Sequence, residues 1–353
     1  MSRIQALQAA LVCVCAFAAS GAQAAKYSVV DQGVEVGADT HLSGFRVALN
    51  SAGVVAVTAQ ARAKKIDHGV VTDLGALSVY GSYAHAIDDA GTVSGLTFDS
   101  SGWPRGFTWS NGVMTSVGVA PGYVESGIDS ASAGGHCAGT SWGDLPSMLP
   151  RLILVSQGQL HDLGLPATGY VIQAGGINAT DEITGAISAA NGDERHAFIY
   201  RNGAFKDLGT LSHAASGSNE SWGYAINDRG VVAGYSTIGD GSAYHAVTYW
   251  KGSTHDLGTL DAGPAASSFA YGINARGTVV GMSEPDGSGE QMSAFVLFKV
   301  QGRMLDLNQL LVPKDSDWHL LAAYAINDAG QIAGIGTRAG VGGVRVFLAT
   351  PQQ

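Results

Sequence analysis

Apolar residues come in short runs broken by Gly, Asn, Asp or Ser, as in Tyr224-Ala225-Ile226, Val231-Val232-Ala233-Gly234 and His196-Ala197-Phe198-Ile199-Tyr200. Runs of this length bounded by turn residues read as strands, and no apolar period of helical length interrupts them. The run ending at Ile226 is followed by Asn227, with Gly230 three positions on, the residues a type I turn takes at its first and last places. A polar loop separates the second strand from the third. A second tight hairpin follows, centred on Asn111-Gly112, Gln157-Gly158, Asn202-Gly203, Lys251-Gly252 or Gln301-Gly302. A fourth strand then ends in Asp-Leu-Gly at 73–75, 162–164, 207–209 and 256–258, or in Asp306-Leu307-Asn308.

This four-strand unit repeats, its best copy running from Ser221 to Leu260. An apolar residue followed by Asn or Asp marks the end of each first strand, at Asn50, Asp88, Asp129, Asn178, Asn227, Asn274 and Asn327. The spacings are 38, 41, 49, 49, 47 and 53 residues. Five units close the turn with Gly53, Gly91, Gly230, Gly277 and Gly330; the third is read as a longer turn before Gly134, and the fourth uses Asp181. Four antiparallel strands per unit of this length make the blade of a β-propeller. The seventh unit stops at Pro351 without a fourth strand, whereas Tyr27–Gly33 resembles a detached one. Residues 26–32 are therefore expected to pair with 344–350 and close the ring, leaving no free edge. The expectation is all-β: a single seven-bladed β-propeller over residues 25–353, not the two domains that 353 residues would suggest.

His196-Ala197-Phe198, the Ala-Ile-Asn marker and Asp-Leu-Gly-Thr-Leu at 207–211 and 256–260 resemble the bacterial HAF extracellular repeat family. The resemblance spans nearly all of 25–353 and is strongest over 170–335; blade one lacks a clear His-Ala-Phe strand and blade three has Arg151-Leu152-Ile153-Leu154 instead. It implies export and a repeated β fold, and no general activity or ligand.

Residues 1–24 carry one charge, Arg3, then an apolar run from Ala6 to Ala19 and Ala22-Gln23-Ala24, the small-residue pattern of signal cleavage. Export to the periplasm or beyond is expected, with no membrane segment after cleavage. Cys13 and Cys15 would leave with the signal, so Cys137 remains alone and no internal disulfide forms. Hydrophobic residues are 46% and charged residues 14%, with 50 glycines: a large core and many tight turns. The net charge of −10 disfavours a nucleic-acid partner. A closed ring is expected as a monomer.

Zinc-helix, nucleophile-elbow and phosphate-loop signatures are absent, so no catalytic residue, metal ligand or cofactor is assigned. Turn formation accounts for the repeated Asn and Asp residues, and a strand-end hydrogen bond for the Asp of Asp-Leu-Gly. His196 and His245 stand where other blades have Arg105, Ser293 and Arg345, so bonds to loop backbone are expected of them. His136 and Cys137 are adjacent, but strand neighbours face opposite ways, and a buried inert thiol is expected. Asp286-Gly287-Ser288-Gly289-Glu290 lacks the remainder of a calcium loop. The variable loops carry Trp103, Trp142, Trp222 and Trp318, which are the expected ligand-stacking residues, with Trp103 and Trp142 as the best pair. The same loops contain Asp99, Asp144, Asp193, Glu194, Asp240, Glu284, Asp286 and Glu290, whereas Trp109 and Trp250 end third strands and are expected to pack. The leading expectation is an exported non-enzymatic binding module for a carbohydrate or a protein ligand. The alternative is a polysaccharide hydrolase or lyase with acids meeting at the axis, which two or more raised-pKa carboxylates there would favour.

Overall fold

The turns set the strand lengths. Both residues of the hairpins at Asn111-Gly112, Gln157-Gly158, Asn202-Gly203 and Lys251-Gly252 have positive φ, between 51° and 82°, as a type I′ turn requires. Asn50, Asn227, Asn274 and Asn327 each accept at Oδ1 from the amide four residues on, which shapes the first turn of their blades.

The computed structural model describes residues 25–37, 45–143, 149–166, 170–189, 194–212, 219–239, 241–289, 291–299 and 302–352. These residues form seven antiparallel sheets of four strands, each in sequence order from the axis outward except the last. We number the blades 1 (47–73), 2 (82–116), 3 (125–164), 4 (170–209), 5 (221–256), 6 (267–306) and 7 (318–351 with 27–36). Blade 7 takes its outer strand from Tyr27–Val36, which pairs antiparallel with Val341–Pro351 from Tyr27 opposite Pro351 to Val36 opposite Val344. The expected closure is therefore what the fold uses. Tyr27 and Val29 bury against Leu320, Phe347 and Ala349 in the blade-7 core. The architecture is a seven-bladed β-propeller.

A belt of side-chain bonds joins neighbouring blades. Asn50 Nδ2 donates to the carbonyl of Asp88, Asn178 to that of Asn227, Asn227 to Asn274, Asn274 to Asn327, and Asn327 back to Asn50, at 3.0–3.2 Å. Asp88 cannot donate, and the link from blade 2 to 3 is the amide of Asp89 on the carbonyl of Ala133. His136 Nδ1, 2.7 Å from Asp181 Oδ1, spans blades 3 and 4.

Blade 3 corrects one reading. Its first turn starts at Ser132, whose Oγ accepts from the His136 amide, and closes at Gly135, whose amide donates to the Ser132 carbonyl. The marker of blade 3 is Ser132 and not Asp129, and the closing glycine is Gly135 and not Gly134. The spacings around it become 44 and 46 residues.

A glycine seven residues after the marker then recurs in six blades: Gly95, Gly139, Gly185, Gly234, Gly281 and Gly334. A Cβ at any of these would lie 1.7–2.0 Å from a carbonyl oxygen of the innermost strand. The strand carrying that carbonyl bulges two residues later, at His85, Asp129, Gly175, Tyr224, Tyr271 and Tyr324. Blade 1 has Val57 at the glycine position, and its inner strand Val47–Leu49 pairs without a bulge.

The histidines of the third strand also find a partner other than the one expected. His196 and His245 bond at Nδ1, 2.8 Å away, to the carboxylates of Asp207 and Asp256 in their own Asp-Leu-Gly segments rather than to loop backbone. The same aspartates accept from the amides of Gly209 and Gly258, two residues on. Asp31, which accepts from Gly33 and pairs with Arg345, repeats the arrangement in blade 7.

Candidate functional site: the axial cavity

A bulge places an extra residue on one strand and re-aims its side chain. Here six bulged residues, with Val47 of blade 1, stand three positions before the seven markers, on the innermost strands. All seven line a cavity of about 530 Å³ on the propeller axis. Its size falls within the range of small-molecule sites.

The lining is divided. Blades 5, 6 and 7 supply Tyr224, Tyr271 and Tyr324; Tyr271 lies 5.1 Å from Tyr224 and 5.0 Å from Tyr324, the latter pair stacked at 22°. Trp222 stacks on Tyr224 at 5.8 Å, and Phe45 meets Tyr324 edge-on at 5.6 Å, so five rings form one arc. Burial raises the Tyr224 hydroxyl to about 12 and that of Tyr271 well above its ordinary value, which keeps both neutral. The Tyr324 hydroxyl and the Trp222 Nε1 are buried with no hydrogen-bond partner.

Blades 1 to 4 supply Val47, His85, Asp129 and Gly175, with Arg46 beside Val47. Arg46 Nη1 donates to the carbonyls of Asp129 at 3.2 Å and Gly175 at 3.4 Å, and Nη2 lies 4.0 Å from Asp129 Oδ1. Asp129 Oδ2 is buried without a partner. Burial lifts the Asp129 carboxyl to about 6 even against the attraction of Arg46. His85 Nδ1 lies 2.7 Å from the Ile128 carbonyl, which assigns the ring proton there and leaves Nε2 as an acceptor. Burial, then the positive charge of Arg46, holds His85 down at about 4, so it is neutral near pH 7. Among the described residues Asp129 is the only carboxylate lining the cavity, so the acid pair of glycoside hydrolysis is not assembled there.

The four expected tryptophans go to four different places. Trp222 lines the cavity, 8% exposed, with the Arg195 guanidinium 5.4 Å above its ring. Trp318 is buried in the blade-7 core against Phe347. Trp103 is 41% exposed in the turn that Asp99 organises. Trp142 is half-buried, its ring against Gly127. Among the described residues no ring contact joins Trp103 to Trp142.

Of the acids expected on the loops, Asp144, Asp193, Asp240 and Glu290 lie outside the described residues. Asp99 pairs with Arg105, Glu284 accepts from the Gly289 amide and Asp286 from the Ser288 amide, while Glu194 lies 4.0 Å from His196. Cys137 is buried and its thiol is pushed up to about 11. No group of three metal-ligating side chains occurs among the described residues.

No sequence motif marks the cavity residues Arg46, His85, Tyr224, Tyr271 and Tyr324, and the marker pattern assigns Asp129 to a turn. The signal was present: the glycine seven residues past six of the seven markers registers the units and shows which residue bulges.

A family model described as a protein of unknown function (DUF3466) matches residues 167–341, which covers blades 4 to 6 and the two inner strands of blade 7. No curated protein gives a significant match. Among solved structures, the extracellular domain of a putative one-component system from B. thetaiotaomicron is similar at 9% identity and a TM-score of 0.50, over 90% of this chain and 39% of that one. TolB from Acinetobacter baumannii matches at 12% identity and 0.44, over 79% and 62% of the two chains. A puromycin-hydrolyzing peptidase of Mycobacterium tuberculosis matches at 14% and 0.43, over 74% and 44%. In each case this chain spans less than two thirds of the matched chain. The likeness is one of fold. No helix among the described residues is long and apolar enough to cross a membrane.

Proposed function

We propose that this protein is an exported binding module that holds a neutral carbohydrate in its axial cavity. The observation that carries the reading is the division of the cavity: an arc of five aromatic rings faces a cluster of Arg46, His85 and Asp129. A sugar ring presents an apolar C–H face for stacking and hydroxyls for hydrogen bonds, and it needs both kinds of wall. Asp129 Oδ2 offers an acceptor, Trp222 Nε1 a donor and the Tyr324 hydroxyl either, and all three are unpartnered. Arg46 offsets the charge of Asp129, so the cluster attracts neither cations nor anions strongly. Export rests on residues 1–24 and is tested by finding Ala25 at the N-terminus of the secreted protein.

Calorimetric titration with a panel of neutral mono- and disaccharides tests the binding. A ligand is expected whose affinity is lost in Tyr271→Ala and reduced in Asp129→Asn, while the double variant Trp103→Ala/Trp142→Ala still binds. Binding that survives Tyr271→Ala but is lost in the double variant would move the site to the rim. Turnover of the saccharides by the wild-type protein would overturn the non-enzymatic reading.

A further inference from the structure

The chain carries 19 basic residues against 29 acidic ones, yet cations gather where the first turns and outer hairpins of blades 4, 5 and 6 come together. Between blades 4 and 5 lies a shallow pocket of about 150 Å³ lined by Arg201, Lys206, Trp250 and Lys251. Trp250 was expected to pack, but it is 42% exposed. Lys251 Nζ lies 4.6 Å from the centre of its ring and Lys299 Nζ, from blade 6, lies 5.9 Å from it. Lys206 Nζ stands beside Gly252, in the same hairpin as Lys251.

Among the described residues the one acid lining the pocket, Asp207, is already engaged. Arg201 is neutralised by Glu182, and Asp207 is bonded to His196. Among the described residues Lys206, Lys251 and Lys299 have no carboxylate within ion-pair distance. Two ammonium groups drawn to one indole and a third near the same hairpin form a positive, partly aromatic surface on an acidic protein. We propose that this surface docks an acidic polysaccharide, a chain of uronate sugars. A uronate unit supplies both features the surface answers: a carboxylate for the lysines and a ring face for the open part of Trp250. An acidic peptide offers carboxylates without the ring face. A lipid surface would be met by only one exposed apolar side chain of the pocket.

The test titrates the full chain with an oligogalacturonate, beside a neutral galacto-oligosaccharide, polyglutamate and phosphatidylglycerol vesicles. The oligogalacturonate is expected to bind, more weakly as salt is raised. Lys206→Gln/Lys251→Gln/Lys299→Gln should weaken binding by about tenfold or more and flatten the salt dependence, with an unchanged melting temperature. Trp250→Ala should weaken binding while leaving the salt dependence in place. Tyr271→Ala should leave oligogalacturonate binding intact, which separates this surface from the axial cavity. Failure of the oligogalacturonate to bind, equal binding of polyglutamate or vesicles, or indifference to the triple variant would each overturn the proposal.

Discussion

The two halves of the axial ring use one backbone device to different ends. In blades 5 to 7 the bulged residue is tyrosine each time, and the three rings make a continuous wall, Tyr271 meeting Tyr224 edge-on and stacking on Tyr324. In blades 2 to 4 the bulged residues are His85, Asp129 and Gly175, and blade 1 has no bulge at all. The tyrosine half lies within residues 167–341, matched by the family model, whereas His85, Asp129 and Arg46 lie outside it. The bulge, imposed by the glycine opposite, decides where a side chain enters the cavity. It leaves the chemistry of that side chain free. Repetition therefore fixes positions, and departures from repetition make the site.

The halves meet at two seams, and the largest effect should come from opening one of them. Blade 7 meets blade 1 where Tyr27–Val36 closes the sheet. Deleting residues 25–33 would bare the edge of Val341–Pro351 and uncover part of the blade-7 core. A loss of about 5 kcal/mol or more and faster aggregation are expected. A truncated protein that melts with the protein of residues 25–353 would break the account of closure.

The second seam is Gly175 against blade 5. A Cβ there would lie 2.0 Å from the carbonyl oxygen of Gly223, a backbone atom that cannot swing away. Gly175→Ala is expected to cost about 3 kcal/mol in urea denaturation. A cost below about 1 kcal/mol would show that the seam is slack.

Within the charged half, two titrations oppose each other. Asp129 is raised from 3.8 to about 6, so its stabilising contribution is present below about pH 4 and lost as pH rises through 6. His85 is lowered from 6.5 to about 4, so its contribution is present above pH 6.5 and lost as pH falls through 4. Each is worth up to about 3 kcal/mol, and in the wild-type protein they largely cancel. Asp129→Asn should therefore lose stability relative to wild type as pH is lowered from 6.5 to 4, and His85→Gln should gain it. Parallel melting profiles for all three proteins across that range would remove the cluster's distinctive electrostatics.

The smallest effect belongs to the aromatic half. Tyr324 has a buried hydroxyl without a partner, so Tyr324→Phe should raise stability by about 1 kcal/mol. If the hydroxyl meets the ligand, the same change should weaken saccharide binding. A variant less stable than wild type would mean that the hydroxyl is satisfied.

Turn chemistry and strand length are local, and for that reason the sequence alone determined the blade, the number of blades and the pairing of the first strand with the last. Asn227 and Gly230 bend the chain whatever surrounds them, and a missing fourth strand must be found somewhere. The misplacement of blade 3 shows the limit of such reading. Ser132 does the work of an Asn there, and its bond to the His136 amide shows the true register, which Gly139 seven residues on also marks. The site itself was decided by tertiary structure. Arg46 and Gly175 are 129 residues apart and share a hydrogen bond because their strands stand around one axis. Trp222 and Trp318 both follow loops, yet the first reaches the cavity and the second a blade core, since what a loop-end side chain meets depends on the neighbouring blade. Local patterns carry the positions of turns. The convergence of seven inner strands on a common axis is a property of the closed ring.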